Sequence, residues 1–447
     1  MSNKQARVQN LAGALQRITD PFSAFLNFQQ ASGYLLLAAT FVSLIAANSS
    51  SGDSFVHFWH TPIDFSFGDF FTLKLTVEQF INDGLMTIFF TVVGLEIKRE
   101  LIEGALSTRQ QAMLPVAGAL GGMFFPAIIY LAFNFGKDSA SGWAIPTATD
   151  IAFSLAIIQM LGKKVPLSLK VFLTALAVVD DLGAIVVIAV FYSEQLHWLY
   201  LCYAILVVGV LYLMNLADVR NVFAYCFVGA FLWIFLHDSG IHATISGVIL
   251  ALCVPFRFKN YDALFKKHLV EVQAYSDMLG KDSKELKPEI RDQIIEEMQR
   301  TSTLMEAPLN NMLHLLHSFS SYLIMPLFAL SNAGVKLNFD AVQNLLSPVS
   351  LGIFFALIFG KSIGITLTTF ITSKLGITEL PKGINLKDMF FVNILAGIGF
   401  TMSIFVTNLA FTDSLMIETA KFSIIITSFT AGIVGYVLNS RNKKTLE

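Results

Sequence analysis

A stretch of about 25 apolar residues, 168–192, carries two adjacent carboxylates, Asp180 and Asp181, at its middle, and few folds can hold such a segment. A helix rises about 1.5 Å per residue, so roughly twelve residues on either side put the pair near the centre of a ~30 Å hydrocarbon layer. Each charged Asp at that depth costs about 2.5–3.5 kcal/mol on insertion scales, and neighbouring carboxylates repel one another as well. Such a pair persists where it faces a cation, a proton or a water-filled cavity. A soluble surface helix does not explain it, because 171–193 contains no other charged residue. The rest of the chain agrees: 55% of its 447 residues are hydrophobic and 14% charged, against about a quarter charged in soluble domains. The expected class is an all-α polytopic membrane protein.

Hydropathy marks twelve candidate transmembrane helices, near 31–48, 77–97, 112–134, 143–161, 168–192, 197–215, 221–237, 240–256, 318–335, 347–373, 388–410 and 418–439. Residues 1–30 are polar with a modest apolar face (Leu11, Leu15, Ile18, Phe22, Phe25, Leu26), which suits a cytoplasmic amphipathic segment at the membrane surface. They lack a cleaved-signal pattern, so the first span is expected to act as insertion signal and stay. Between the first two spans, 63–75 alternates around Gly68 as an extracytoplasmic β-hairpin would. Segment 257–310 holds nine basic and ten acidic residues and reads as a solvated cytoplasmic loop, with a polar helix over 289–305 after Pro288. With the N-terminus inside, 25 of the 30 Lys and Arg fall on cytoplasmic segments; Lys74, Lys137, Lys336 and Lys421 fall outside, and Lys361 sits within a span. That imbalance places both termini in the cytoplasm. The three cysteines, Cys202, Cys226 and Cys253, read as small buried hydrophobes. A net charge of −2 suggests no nucleic-acid partner, and no motif calls for a cofactor or marks an enzyme.

Ionisable residues within spans form a short set: Asp83, Glu96, Asp150, Asp180, Asp181, His242 and Lys361. Glu96, Arg99 and Glu100 have helical spacing and can pair with one another. His242 opens a span, where an interfacial histidine is at home. Asp150 follows Pro146 and Thr147 and adjoins Thr149, a place where a helix is expected to unwind. Gly397 and Gly399 mark a comparable weak point in the eleventh span. Spans three to five and ten to twelve therefore read as two copies of one unit, and the odd number of spans between corresponding members inverts one copy relative to the other. Paired interrupted helices in inverted repeats point to a transporter's midplane site. Facing breaks bring two positive and two negative helix ends into the hydrocarbon, and Asp150 and Lys361 are the residues of each sign available to compensate them.

Asn82-Asp-Gly-Leu-Met86, Val93-Gly-Leu-Glu-Ile-Lys-Arg-Glu100, Ile145-Pro-Thr-Ala-Thr-Asp150, Val179-Asp-Asp-Leu-Gly-Ala-Ile185, Gly240-Ile-His-Ala-Thr244, the run from Pro326 to Gly334, and Gly360-Lys361 cover nearly every span. Together they resemble the bacterial NhaA-type sodium/proton antiporters, a family that is itself one of the cases behind the inverted-repeat rule. The resemblance implies two crossed, broken helices in a core of 111–193 (spans 3–5) and 347–440 (spans 10–12). Around that core it implies an interface domain of 31–110 and 194–346 with homodimer contacts, a segment 1–30 and a tail 441–447. It implies that Asp181 and Asp180 bind H+ or transiently Na+ or Li+, with Thr149 lining the site. Asp150 and Lys361 would compensate helix ends, and Lys361 would also pair with Asp180. Asp83, Glu96, Arg99, Glu100, His242, His314 and His317 become the funnel and pH-response residues. The implied activity is exchange of intracellular Na+ for external H+ across the bacterial inner membrane by alternating access, with two protons against one Na+, serving sodium and pH homeostasis.

Two departures bear on regulation. Where the family commonly has Arg-Leu-Glu-His before the ninth span, this chain has Asn311-Met-Leu-His314, and the preceding loop is longer. A shallower or shifted pH activation is expected for this chain, and Leu313→Glu, alone or with Asn311→Arg, is expected to steepen or move it. Among other classes, an intramembrane aspartyl protease needs its two acids on different helices, whereas Asp180 and Asp181 project about 100° apart on one. A passive channel would need a continuous polar pore. The nearest alternative is a sodium-coupled solute symporter of the same fold.

Overall fold

Glycine and proline decide where the helices of this chain break and how closely they approach. The computed structural model describes residues 31–67, 71–104, 106–193, 196–256, 270, 307–336, 343–380 and 384–441. The expected surface helix over 1–30, nearly all of the loop 257–310 with its helix over 289–305, the turn at Gly68 and most of the tail 441–447 lie outside these residues. Nine described helices are long and apolar enough to cross a membrane, and two bent helix pairs bring the number to eleven. The span expected at 240–256 is instead α-helical only over Ile245–Cys253, nine residues. That length rises about 13.5 Å, short of a ~30 Å layer. Gly240, in the left-handed region at φ 84°, ends the preceding helix and separates it from this one.

The chain forms two units, one of Met1–Met86, Glu100–Tyr192 and Ser320–Glu447, the other of Thr87–Arg99 and Ser193–Phe319. In the first unit, α1 (Ala31–Ala47) and α2 (Gly52–Trp59) meet at 119°. Two antiparallel strands follow, β1 (Pro62–Phe67) and β2 (Phe71–Thr76), with Ile63 opposite Leu75 and Asp64 opposite Lys74. A capping box between Thr76 and Gln79 then starts α3 (Val77–Ile102): the Gln79 N–H donates to Thr76 Oγ1 at 3.1 Å, and the Thr76 N–H to Gln79 Oε1 at 2.9 Å. Next come α4 (Arg109–Asn134), a 3-10 segment Asp138–Thr147 leading into α5 (Ile151–Leu161), and α6 (Leu167–Phe191), which carries the paired aspartates.

α4 has small residues where α11 (Pro348–Lys374) crosses it. A Cβ on Gly121 would collide with the Gly364 carbonyl, and one on Gly364 with the Gly121 carbonyl. The two backbones touch there, a packing mode that serves helices in lipid, where burial from water drives no association. It holds Lys361, one turn before Gly364, fully buried at a fixed height. The broken helix α12 (Leu386–Ala396) and α13 (Phe400–Ala410) bends by 54°, and α14 (Ser414–Arg441) closes the unit.

The second unit packs α7 (Trp198–Leu216), α8 (Val222–Ser239) and α9 (Ile245–Cys253) with the Thr87–Arg99 stretch of α3 and the Pro308–Phe319 part of α10 (Pro308–Asn332). Leu95, Leu211, Tyr225, Leu232, Ala251, Leu309, Met312 and Leu313 form its core. Lys98 is used structurally, donating to the carbonyls of Leu252 (2.6 Å) and Val254 (2.5 Å) at the end of α9, while Asn215 Nδ2 caps Cys253 at 2.6 Å. Of the cysteines read as buried, Cys202 is exposed and Cys226 and Cys253 are half-buried, all free. In a helix meant for lipid, apolar residues face outward as readily as inward, so apolarity does not foretell burial.

Leu313 corrects a second expectation. It is 4% exposed within this apolar core, not at a polar entrance. Leu313→Glu would place a carboxylate in a core that includes Leu309, Met312 and Leu95. We expect a destabilisation of about 4 kcal/mol or more, seen as a lower melting temperature of purified protein in detergent, and no steepened pH response.

Candidate ion site at two helix breaks

Both breaks arise from local chemistry. Pro146 within the 3-10 segment lacks a backbone donor, and Ala148 and Asp150 are extended (ψ 150° and 103°) before α5 begins. In the other, α12 stops at Ala396 and α13 restarts at Phe400 after Gly397, Ile398 and Gly399. A Cβ on Gly397 would strike the Leu357 carbonyl of α11, so only glycine lets the turn sit there. The breaks bond directly to each other: the Asp150 N–H donates to the Ile398 carbonyl at 2.7 Å.

Asp150 serves both restarting helices. Its Oδ1 accepts the Phe153 N–H at 3.0 Å in the first turn of α5. Its Oδ2 accepts the Thr401 N–H at 3.1 Å and the Thr401 hydroxyl at 2.5 Å in the first turn of α13. One buried carboxylate thus caps two positive helix ends. On the other side, hydroxyls take the carbonyls that the breaks release. Thr149 Oγ1 reaches the Ala396 carbonyl at 3.1 Å, Ser154 Oγ donates to Leu395 at 2.9 Å, and Ser403 Oγ to Ile145 at 2.8 Å.

Lys361 turns to an anion. Its Nζ lies 2.5 Å from Asp180 Oδ2 and also bonds Thr149 Oγ1, so it meets the α12 end only through that hydroxyl. Thr149 Oγ1 is itself 2.5 Å from Asp180 Oδ2. A hydroxyl has one proton, and with Lys361 donating to its oxygen that proton is shared between Asp180 and Ala396. Asp180 Oδ1 is buried without a hydrogen-bond partner. Asp181, 1% exposed, interacts electrostatically with Lys361. Among the described residues no three His, Cys, Asp or Glu side chains cluster. The donors gathered here are two carboxylates, a hydroxyl and break carbonyls, hard oxygens that suit a monovalent cation or a proton.

Of the residues expected in the funnel, Glu96, Arg99 and His317 come together. In the second unit, Glu96 pairs with His317 (Oε1 to Nδ1, 3.3 Å), Arg99 acts electrostatically on the same histidine, and His314 is exposed. His242 sits 2.7 Å from Thr244 Oγ1. Asp83 lies on a π turn, Phe80–Leu85, of the first unit, to which Glu100 also belongs.

The profile of a family described as Na+/H+ antiporter 1 matches residues 23–438. The chain belongs to this family. Among its curated relatives, the Na(+)/H(+) antiporter NhaA of Oleidesulfovibrio alaskensis is 45% identical over 95% of this chain and 94% of its own length. The NhaA proteins of Wolinella succinogenes (44%, covering 92% and 91%) and Flavobacterium psychrophilum (43%, covering 94% and 96%) are similarly close. Within the family frame, sequence reasoning passed over Thr401, Ser154 and Ser403, although Thr401 lies in the weak stretch 396–402. A hydroxyl beside a glycine break, facing a carboxylate on the partner break, was the available signal.

Proposed function

We propose that this chain exchanges intracellular Na+ or Li+ for external H+ at Asp180 and Asp181. The observation that carries this reading is the buried Lys361–Asp180–Thr149 cluster beside two mutually bonded helix breaks. A cation bound between the carboxylates must displace Lys361 from Asp180 Oδ2. An ammonium stripped of its counter-ion in an apolar site is costly, so the cation's arrival is coupled to departure of a proton from the lysine. A proton held at Asp181 is displaced by the same charge. Two protons then move against one Na+, and competition for one set of oxygens provides the coupling. Asp150 keeps the breaks in place throughout, and alternating access moves the site between faces.

The reading extends to architecture. Of twelve crossings, with 240–256 combining the short helix Ile245–Cys253 and non-helical flanks, six form inverted repeats, 111–193 and 347–440, working against an interface domain of 31–110 and 194–346 that carries an extracytoplasmic hairpin and homodimer contacts. The protein lies in the bacterial inner membrane with both termini cytoplasmic, as the Lys and Arg distribution supports. Asp83, Glu96, Arg99, Glu100, His242, His314 and His317 line funnels and tune the pH response; the Glu96–His317 pair supports this for two of them.

Each cycle of this stoichiometry moves one net charge, so 100 mV contributes about 2.3 kcal/mol per turnover. In everted vesicles, Na+ and Li+ are expected to dequench a pH dye. In proteoliposomes an imposed potential is expected to accelerate exchange. Voltage-independent exchange would remove the two-proton stoichiometry, and absence of a Na+ response would remove the antiport reading.

A further inference from the structure

Asn393 lies on α12, three residues before the Ala396 carbonyl that Thr149 touches, and is fully buried. Its Nδ2 donates to Thr366 Oγ1 at 3.0 Å, and the Thr366 hydroxyl in turn donates to the Ser362 carbonyl at 2.7 Å. That chain of donation fixes the amide's orientation: with the Thr366 proton spent on Ser362, the atom facing Thr366 must be the nitrogen. Asn393 Oδ1 is left buried with no hydrogen-bond partner. A buried amide oxygen in this condition carries its full desolvation cost, and such an oxygen calls for an explanation.

The two residues continue the site already described. Thr366 stands about 7.5 Å along α11 from Lys361, and Asn393 about 4.5 Å along α12 from the break. Both lie on the side toward Lys374 and Lys387, which the antiport reading makes cytoplasmic. We propose that Asn393 and Thr366 form a second, neutral-oxygen subsite for the transported cation, on the cytoplasmic side of the carboxylate pair. A subsite without charge binds weakly enough to pass the cation on, as conduction through successive oxygen sites requires. It fills from the cytoplasm and hands Na+ to Asp180 and Asp181.

The proposal rests on the antiport reading, and the test separates the two. Exchange is measured against Na+ added to the cytoplasmic face (everted vesicles) and to the opposite face (right-side-out vesicles), for wild type, Asn393→Leu and Asn393→Asp. Asn393→Leu keeps the volume and removes the oxygen. It is expected to raise the apparent KM for Na+ on the cytoplasmic face roughly tenfold, about 1.4 kcal/mol, with less change on the other face and a maintained maximal rate. Asn393→Asp retains an acceptor and is expected to keep the cytoplasmic KM at or below that of wild type. If Asn393→Leu fails to reach the membrane, Asn393→Ala carries the same comparison. An unchanged KM, or an equal shift on both faces, would overturn the subsite, since a packing effect has no sidedness. Loss of Na+-dependent exchange in wild type itself would instead overturn the antiport reading.

Discussion

Asp181→Asn is expected to abolish Na+-dependent proton movement while leaving a folded, membrane-inserted protein. The substitution is nearly isosteric and leaves the Lys361–Asp180 pair intact. It removes a full negative charge from beside the bound cation. At an effective dielectric of about 20 and a separation of about 4 Å, one such charge contributes about 4 kcal/mol, roughly a thousandfold in affinity. Asp180→Asn is expected to fail differently. It strips the counter-ion from Lys361, which is 0% exposed, so it costs stability as well as exchange, by about 3–5 kcal/mol for a broken buried pair. Comparing melting temperature with exchange rate in the two variants separates these effects. Equal stability loss in both, or wild-type exchange in either, would contradict the assignment.

Asp150→Ala is expected to have the largest effect on the fold. It removes the acceptor for the Phe153 and Thr401 N–H groups and for the Thr401 hydroxyl, and so uncaps α5 and α13 together. Each lost cap costs about 1 kcal/mol, and buried donors left without partners add about 1–3 kcal/mol each. We expect a loss of roughly 4 kcal/mol or more, read as a lowered melting temperature. Asp150→Asn keeps one carbonyl acceptor and is expected to fall between Ala and wild type. If the capping view is right, Asp150→Asn also retains measurable exchange, because Asp150 is not among the cation's ligands. A melting temperature for Asp150→Ala equal to wild type would show that the breaks do not depend on it.

The spans and the breaks were legible because membrane burial and helix chemistry write themselves locally. A carboxylate pair amid some twenty apolar residues, Pro146 before Asp150 and the Gly397/Gly399 pair all act within a few residues of themselves. What the chain did not disclose locally is which side chain meets which. Lys361 is the only lysine or arginine expected deep inside a span, and charge balance alone pairs it equally well with helix-end carbonyls or with Asp180; only the family resemblance named Asp180. The choice depends on how close α11 comes to α4, a contact set by Gly121 and Gly364. Leu313 illustrates the same point. Its place in the ninth-span entrance motif suggested a polar funnel, while packing against Leu95 and Met312 put it in a core. The short α9 shows the same limit, since 240–256 is apolar enough to span but Gly240 and the loop before Ile245 shorten its helix.

The most direct test of competition at the paired carboxylates is proton release from purified, detergent-solubilised protein in weak buffer when Na+ is added. The wild-type protein is expected to release about two protons per Na+ bound, Asp181→Asn to release none, and choline to release none from either. Sodium binding without proton release in the wild type, or undiminished release in Asp181→Asn, would contradict the claim that one site holds either the cation or the protons.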